Sequence, residues 1–385
     1  MLRFLTAGES HGPALVAVVE GLPKGLEVDV KGLSAELTRR RHGYGRGARM
    51  SIEQDEIEIL GGVRHGQTLG SPVAVLIRNT EWPKWEKIMS PGPGEGGKEV
   101  SRPRPGHADL AGMLKYDTAD ARDVLERASA RETAARTVVG YLAKRLLAAC
   151  GIEVLSHVVS IGSVVAKPLV PQPEDRLRID EDPVRCLDPQ ASLEMVAAID
   201  QAKEKKDTLG GVFEVVALGV PVGIGSHVHY DRRLDMLLGG ALMSIPAIKG
   251  VEVGDGFEAA SSPGSAAHDE IVRVDGEVSR STNRAGGIEG GMSNGQPLRV
   301  RGAMKPISTL MQPLRTIDMS TGEADQAVRE RSDVCAVPAA AVVGEQMVAY
   351  VLATELTRKF GGDTLDELTS SVEVHRDRVE RRLSE

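Results

Sequence analysis

Ala336-Val337-Pro338-Ala339-Ala340-Ala341-Val342-Val343-Gly344-Glu345-Gln346-Met347-Val348-Ala349-Tyr350-Val351-Leu352, running on to Leu356, is the longest apolar stretch of the chain, and Glu345 and Gln346 interrupt it. Two polar side chains in its middle argue for a helix buried in protein and against a bilayer span. Pro338 fits a first helical turn, Val343, Met347, Tyr350 and Val351 share one side, and Gly361-Gly362 supplies the stop.

Outward from this helix, strand-like runs bounded by Gly and Pro recur at Ala14-Val19, Ile57-Gly61, Val73-Ile77, Val154-Val159, Phe213-Leu218 and Ile271-Val274. A further helix is predicted from Ser129, where Ser129-Ala130-Arg131-Glu132 spells a capping box ahead of an apolar face from Ala135 to Ala149, with Gly151 as the stop. Another begins near Ser192 and ends before Gly210-Gly211, and one is carried by Leu234, Leu237, Leu238, Ala241 and Leu242. Strands and helices do not alternate regularly, so the expectation is an α+β fold and not a doubly wound one. Pro91 to Pro105 and Val165 to Pro189 read as loops, with no domain boundary; residues 1–362 form one domain. The polar tail, 363–385, has Leu365, Leu368 and Val372 at helical spacing and is expected to be a helix at a subunit edge.

Composition narrows the function. Aromatic residues make up only 3% of the 385, which removes base-stacking platforms, and a net charge of −8 opposes a nucleic-acid backbone as partner. Any anion site must be local. Cys150, Cys186 and Cys335 are scattered and odd in number, which suits a reducing cytoplasm and offers no metal spacing. Met1-Leu2-Arg3-Phe4 runs straight into a strand-like stretch, so neither export nor a membrane is expected.

Gly8-Glu9-Ser10-His11-Gly12 has the letters of the hydrolase elbow, but Pro13 leads into a strand where that motif needs a helix, so a serine hydrolase using Ser10 stands second among the readings. His11 is either a surface turn histidine or a proton carrier. Arg102-Pro103-Arg104-Pro105-Gly106-His107-Ala108-Asp109 puts a second histidine on a stiff, basic loop that solubility alone does not require. From Arg39 to Arg49 stand five arginines and no acid, whose guanidinium forks match phosphate and carboxylate; a solvated loop, or an RNA-binding module without enzymatic activity, is the alternative. Five glycines between Asn283 and Gly295 let backbone amides approach a ligand. His227 and His229 lack a third metal ligand, and Gly92 to Gly97 matches a dinucleotide fingerprint by letter only. Arg331-Ser332-Asp333 precedes the long helix, where the dipole favours an anion or an ordinary cap.

Taken together and in order, these segments resemble the chorismate synthase family: Gly8 to Gly12, Arg39-Arg40-Arg41, Arg104 to Asp109, Arg127 to Ala134, Gly286-Gly287-Ile288 with Gly290-Gly291, Lys305-Pro306 and Arg331-Ser332-Asp333. The resemblance covers the chain to about Gly361. It implies a single-domain β-α-β sandwich, a homotetramer, and the last common step toward aromatic amino acids in the shikimate pathway. That step is a trans-1,4-elimination of phosphate from 5-enolpyruvylshikimate 3-phosphate, requiring reduced FMN without net redox change.

By the same resemblance His11 is the acid toward the departing phosphate, His107 protonates or stabilises the reduced flavin, and Asp333 helps relay the proton taken at flavin N5. Arg127, Ala128 and Ser129, Pro246 and Ala247, Gly290, Lys305, Pro306, Ile307, Ser308 and Thr309, and Arg331 match flavin-binding positions. Ala128 stands where many relatives carry serine. Arg40 and Arg46 match positions given to NADP, and could equally hold substrate phosphate. NADPH is a cofactor if the enzyme reduces its own flavin; otherwise a separate flavin reductase is a partner.

Overall fold

Leu15, Ala17 and Val19 are fully buried while Val16 and Val18 between them are half-exposed, the period of two that a strand with one covered face requires. The structure, a computed structural model, describes residues 1–47, 53–93, 97–274, 276–328 and 332–384. Its main elements are β1 (Arg3–Ala7), β2 (Ala14–Glu20), α1 (Val30–Arg41), β3 (Ile57–Gly61), β4 (Val73–Arg78), α2 (Arg122–Ala128), α3 (Thr133–Ala149), β5 (Glu153–Ile161), β6 (Val164–Val165), α4 (Pro189–Glu204), β7 (Gly211–Leu218), α5 (Leu234–Met243), β8 (Ile248–Val253), β9 (Leu298–Met304), α6 (Val337–Phe360) and α7 (Leu365–Ser384).

One antiparallel sheet runs β1-β2-β4-β3, with Val19 opposite Val73 and Ile57 opposite Ile77; a second runs β8-β9-β7-β5-β6. Between them, α3 packs on the first sheet, α6 on β5 and β7 of the second, and the two helices on each other. That last contact is close: a Cβ added at Gly140 of α3 would fall 2.2 Å from the Cβ and 2.5 Å from the Cα of Gln346. Phe213, the largest fully buried side chain, lies against Gly302 and Gly344, where an added Cβ would come within 2.4 Å of its ring. A core poor in aromatics is thus filled by aliphatic side chains and close backbone approach.

The polar pair inside α6 is partnered except at Gln346 Oε1, which is buried without a hydrogen-bond partner among the described residues. Glu345 meets Lys144 at 2.5 Å, Arg39 at 2.8 Å and Ser156 Oγ at 2.8 Å, while the Gln346 amide donates to Glu36 at 2.7 Å. Burial pushes the Glu345 carboxyl up, and the Arg39 and Lys144 charges overcome this and hold it well below the usual range. Among the described residues α6 is the one helix long and apolar enough to cross a membrane, and 89% of its most apolar stretch is buried inside the protein. It is the core helix that its sequence suggests.

Three local expectations are corrected. Ser129 caps a short 3₁₀ turn, Ala130–Glu132, by accepting from the Arg131 amide, and Glu132 bonds Thr6 and Arg136 instead of closing a capping box. α4 starts at Pro189, because Asp188 accepts from the amides of Gln190 and Ala191 and Pro189 suits the first turn. The connection from Val165 to Pro189 contains a helix, Arg176–Glu181. The tail is helical, and Leu368 and Val372 fall within the main buried cluster.

Candidate active site

The loop from β1 to β2 turns at Gly8, whose φ of +99° and closeness to the Ala14 carbonyl, 2.2 Å from an added Cβ, admit only glycine. The turn is tied down by Asn79, which donates to the carbonyls of Glu9 and Gly12, and by the Ser10 amide, which donates to the Glu126 carbonyl. It presents His11. The His11 Nδ1 lies 2.8 and 3.1 Å from the two carboxylate oxygens of Glu126, and the His11 backbone amide donates to the same group at 3.0 Å. Arg122 Nη1 donates to Glu126 at 3.2 Å. Burial pushes the Glu126 carboxyl up, and the His11 and Arg122 contacts more than reverse it, leaving it below the usual range. Ser10 is buried and its Oγ accepts from Ser129 at 3.1 Å.

His107 repeats this pattern. Its Nδ1 contacts Asp109, which also accepts from Arg104 Nε at 2.8 Å and from the Arg104 amide at 3.0 Å. Burial raises the Asp109 carboxyl, but the His107 and Arg104 hydrogen bonds hold it well below its ordinary value. Lys305 Nζ donates to the Gly106 carbonyl and fastens the loop to the end of β9.

Both histidines line one cavity of about 630 Å³. Among the described residues six cationic side chains line it too, Arg40, Arg46, Arg104, Arg131, Lys249 and Lys305, against two carboxylates, Glu126 and Asp333. Arg40 and Arg131 share the buried Asp55, Arg40 at 3.4 Å. Burial, with the Arg131 and Arg46 charges, outweighs the attraction of Asp55 and brings Arg40 down to about 10, so it remains a cation at neutral pH. Its Nε is buried and has no hydrogen-bond partner among the described residues. Asp333 accepts from the Gly47 amide at 2.6 Å and pairs with Arg46 at 3.0 Å. One wall is apolar and low, made by Ala336, Ala339, Ala340 and Val343 at the start of α6 with Ile245, Ala247 and Ile248. Ala247 sits at φ +69°, a left-handed conformation that costs a non-glycine residue roughly 1 kcal/mol.

Of the residues singled out in the sequence, the cavity gathers Ser10, His11, His107, Asp333, Arg40, Arg46, Ser129, Pro246, Ala247, Lys305, Ile307, Ser308 and Thr309. Pro306 is not part of its wall. Arg127 instead donates to the carbonyls of Gly8 and Thr6, and Ala128 and Gly290 lie outside the lining; Arg331 and Arg49 fall outside the described residues. The glycine-rich segment does not reach the cavity: Gly286 and Gly287 accommodate the backbone of Gly254 and Pro297. Arg39 leaves the arginine cluster to join Glu36, Asp180 and Glu345. The side chains of Arg39, Arg40 and Arg41 are 14, 4 and 18% exposed, which hides them from an RNA backbone. Among the described residues no group of three His, Cys, Asp or Glu could hold a metal. Sequence reasoning passed over Glu126, Asp55 and Lys249; only Asp109, two residues from His107, carried a local signal.

The chorismate synthase family model matches residues 2–357. A chorismate synthase of Salinispora tropica is 62% identical over 377 residues, covering 95% of this chain and 96% of that protein. One of Acidothermus cellulolyticus is 62% identical over 388 residues, covering 98% and 99%. A solved crystal structure of a chorismate synthase superposes with a TM-score of 0.80 at 42% identity, covering 99% of this chain and 98% of that one.

Proposed function

The chain belongs to the chorismate synthase family, and from that premise we propose how its cavity carries out the family's reaction. The enzyme is a lyase that eliminates phosphate from 5-enolpyruvylshikimate 3-phosphate to give chorismate. One C–O bond and one C–H bond break, a new C=C forms, and phosphate leaves with the C–O electron pair. The observation that carries the reading is two histidines, each backed by a buried carboxylate, in one cavity lined by six cationic side chains.

The substrate brings a phosphate and two carboxylates. Arginines held in place before binding oppose their mutual repulsion at little reorganisation cost. Arg40 and Arg46, in the same cavity as His11, hold the substrate phosphate in this reading and not NADP; the unpartnered Arg40 Nε fits an anionic oxygen. His11 gives its proton to the departing phosphate. Asp333, steadied by Arg46 and the Gly47 amide, helps in this reading to relay the proton that the substrate ring gives up.

The cavity also fits reduced FMN. The low wall of Ala336, Ala339, Ala340 and Ala247 suits a flat ring, and Ser129, Lys305, Ser308 and Thr309 offer donors for its phosphate and polar edge. When bound, reduced FMN supplies an electron-rich ring beside the substrate and is not consumed. His107, backed by Asp109, serves the flavin.

The β-α-β sandwich of the family fits the packing of α3 and α6 between two sheets. A homotetramer is supported by the outer face of the first sheet, where Leu5, Val16, Val18, Leu60, Ala74 and Leu76 are not buried. Three free, buried cysteines support a cytoplasmic setting. Anaerobic titration with reduced FMN tests the cofactor reading: saturable binding by wild type, weakened in Lys305→Ala and Thr309→Val, is expected, and equal binding by all three chains would overturn this placement.

A further inference from the structure

We propose that Glu126 is a positioning residue for the elimination: it accepts a hydrogen bond from the Nδ1–H of His11 and so commits Nε2 to the leaving phosphate. The inference rests on the reading of His11 as the acid. Three contacts, two of them made by one carboxylate, converge on this one imidazole. In the ring plane, Nδ1 faces both Glu126 oxygens, at 2.8 and 3.1 Å. Across the ring face, Trp85 stacks with centroids 4.0 Å apart and planes 28° from parallel. At the backbone, the His11 amide donates to Glu126 Oε2 at 3.0 Å, so ring and main chain are held by the same carboxylate.

Glu126 is itself held. Its side chain is 1% exposed, and Arg122, one helical turn earlier on α2, donates to it at 3.2 Å with its guanidinium 5.1 Å from the Trp85 ring centroid. The carboxylate stays ionised and can only accept, so the hydrogen on Nδ1 must point at it. The remaining nitrogen, Nε2, is the one left for exchange with the cavity that His11 lines. As the C–O bond breaks, the bonding pair goes to the phosphate ester oxygen and Nε2–H transfers its proton there. The imidazole that remains keeps Nδ1–H on Glu126, the tautomer ready to be reprotonated at Nε2. A carboxylate behind a histidine fixes both tautomer and orientation in this manner wherever the pair occurs.

The competing account is that Glu126 only pins the loop, since its own carbonyl accepts from the Ser10 amide. A double-mutant cycle separates the two. Glu126→Gln keeps the shape and an acceptor but removes the charge; it is expected to lower kcat about 10- to 100-fold with little change in KM. In a His11→Asn background the same substitution should cost less than about twofold, because a residue acting through His11 has nothing left to act on. Imidazole ¹⁵N spectra of the full enzyme, taken where the ring is neutral, should show the proton fixed on Nδ1 of His11 in wild type and shared between both nitrogens in Glu126→Gln. An equal loss in both backgrounds, or an unchanged tautomer, overturns the proposal. If His11→Asn alone leaves turnover intact, the acid role of His11 fails first, and the two failures are distinguishable. Arg122→Gln, which removes the brace from outside, gives a second entrance to the same cycle if Glu126→Gln does not fold: a loss seen only with His11 present is expected, and a loss independent of His11 refutes it.

Discussion

Replacing Asp55 with Asn should remove one charge from beneath the cavity and nothing else. The carboxylate is buried and meets Arg40 and Arg41 at 3.4 Å each, with Arg131 on its other oxygen. Its backbone is left-handed, φ 52°, a conformation asparagine adopts readily, so the fold of the segment is not perturbed. Each pair at 3.4 Å is worth about 5 kcal/mol at an effective dielectric of 20, before desolvation is charged against it. Breaking a buried cluster by removing one partner costs about 3–5 kcal/mol net. For 385 residues at about 2.1 cal/mol/K each, that is a fall in Tm of about 4–6 °C. Inorganic phosphate, by occupying the uncompensated guanidinium groups, should return about 2.7 kcal/mol at a hundred times its Kd. The sign with pH is fixed: burial raises Asp55, the arginines more than reverse this, and its folded value lies below the ordinary 3.8. Its contribution is therefore fully present above 3.8 and is lost as pH falls through the folded value, so variant and wild type should converge in acid. Scanning calorimetry at neutral pH, with and without phosphate, reads both effects. Equal melting of the two proteins, or a phosphate shift no larger in the variant, would refute the reasoning.

Three further outcomes are expected. Asp109→Asn should lower turnover through His107; because Asp109 titrates well below its ordinary 3.8, its stabilising contribution is complete above that value and fades only in stronger acid, which a melting series in pH will show. Gly140→Ala drives a methyl into the backbone of α6, 2.5 Å from the Gln346 Cα, and should cost about 1–3 kcal/mol or more, read as a lower urea midpoint. Truncation after Gly362 removes the burial of Leu368 and Val372, roughly 1.5–3 kcal/mol each, and should lower Tm; a tail at a subunit edge also predicts a smaller assembly by sedimentation, and an unchanged assembly would remove that placement.

What was legible in the sequence was what local pattern controls. The apolar run around Val343 and Met347 does form the core helix, and the strand runs at Ala14 and Val73 do form sheet neighbours. Local competition explains the misses nearby: Asp188-Pro189 is a better helix start than Ser192, and Glu132 is drawn to Arg136 instead of its own cap. Pairings across long separations were hidden. Arg39 reads as one of a phosphate-binding cluster until Glu345 arrives from 306 residues away. The histidines carry their chemistry in their own motifs, but the carboxylate behind His11 lies 115 residues along the chain.

The central claim is tested most directly by anaerobic phosphate release from 5-enolpyruvylshikimate 3-phosphate in three arms: dithionite-reduced FMN, oxidised FMN, and oxidised FMN with NADPH. The account predicts release with reduced FMN and none with oxidised FMN alone; release in the NADPH arm assigns flavin reduction to this chain, and its absence assigns it to a separate reductase. No release in any arm from folded enzyme would contradict the account.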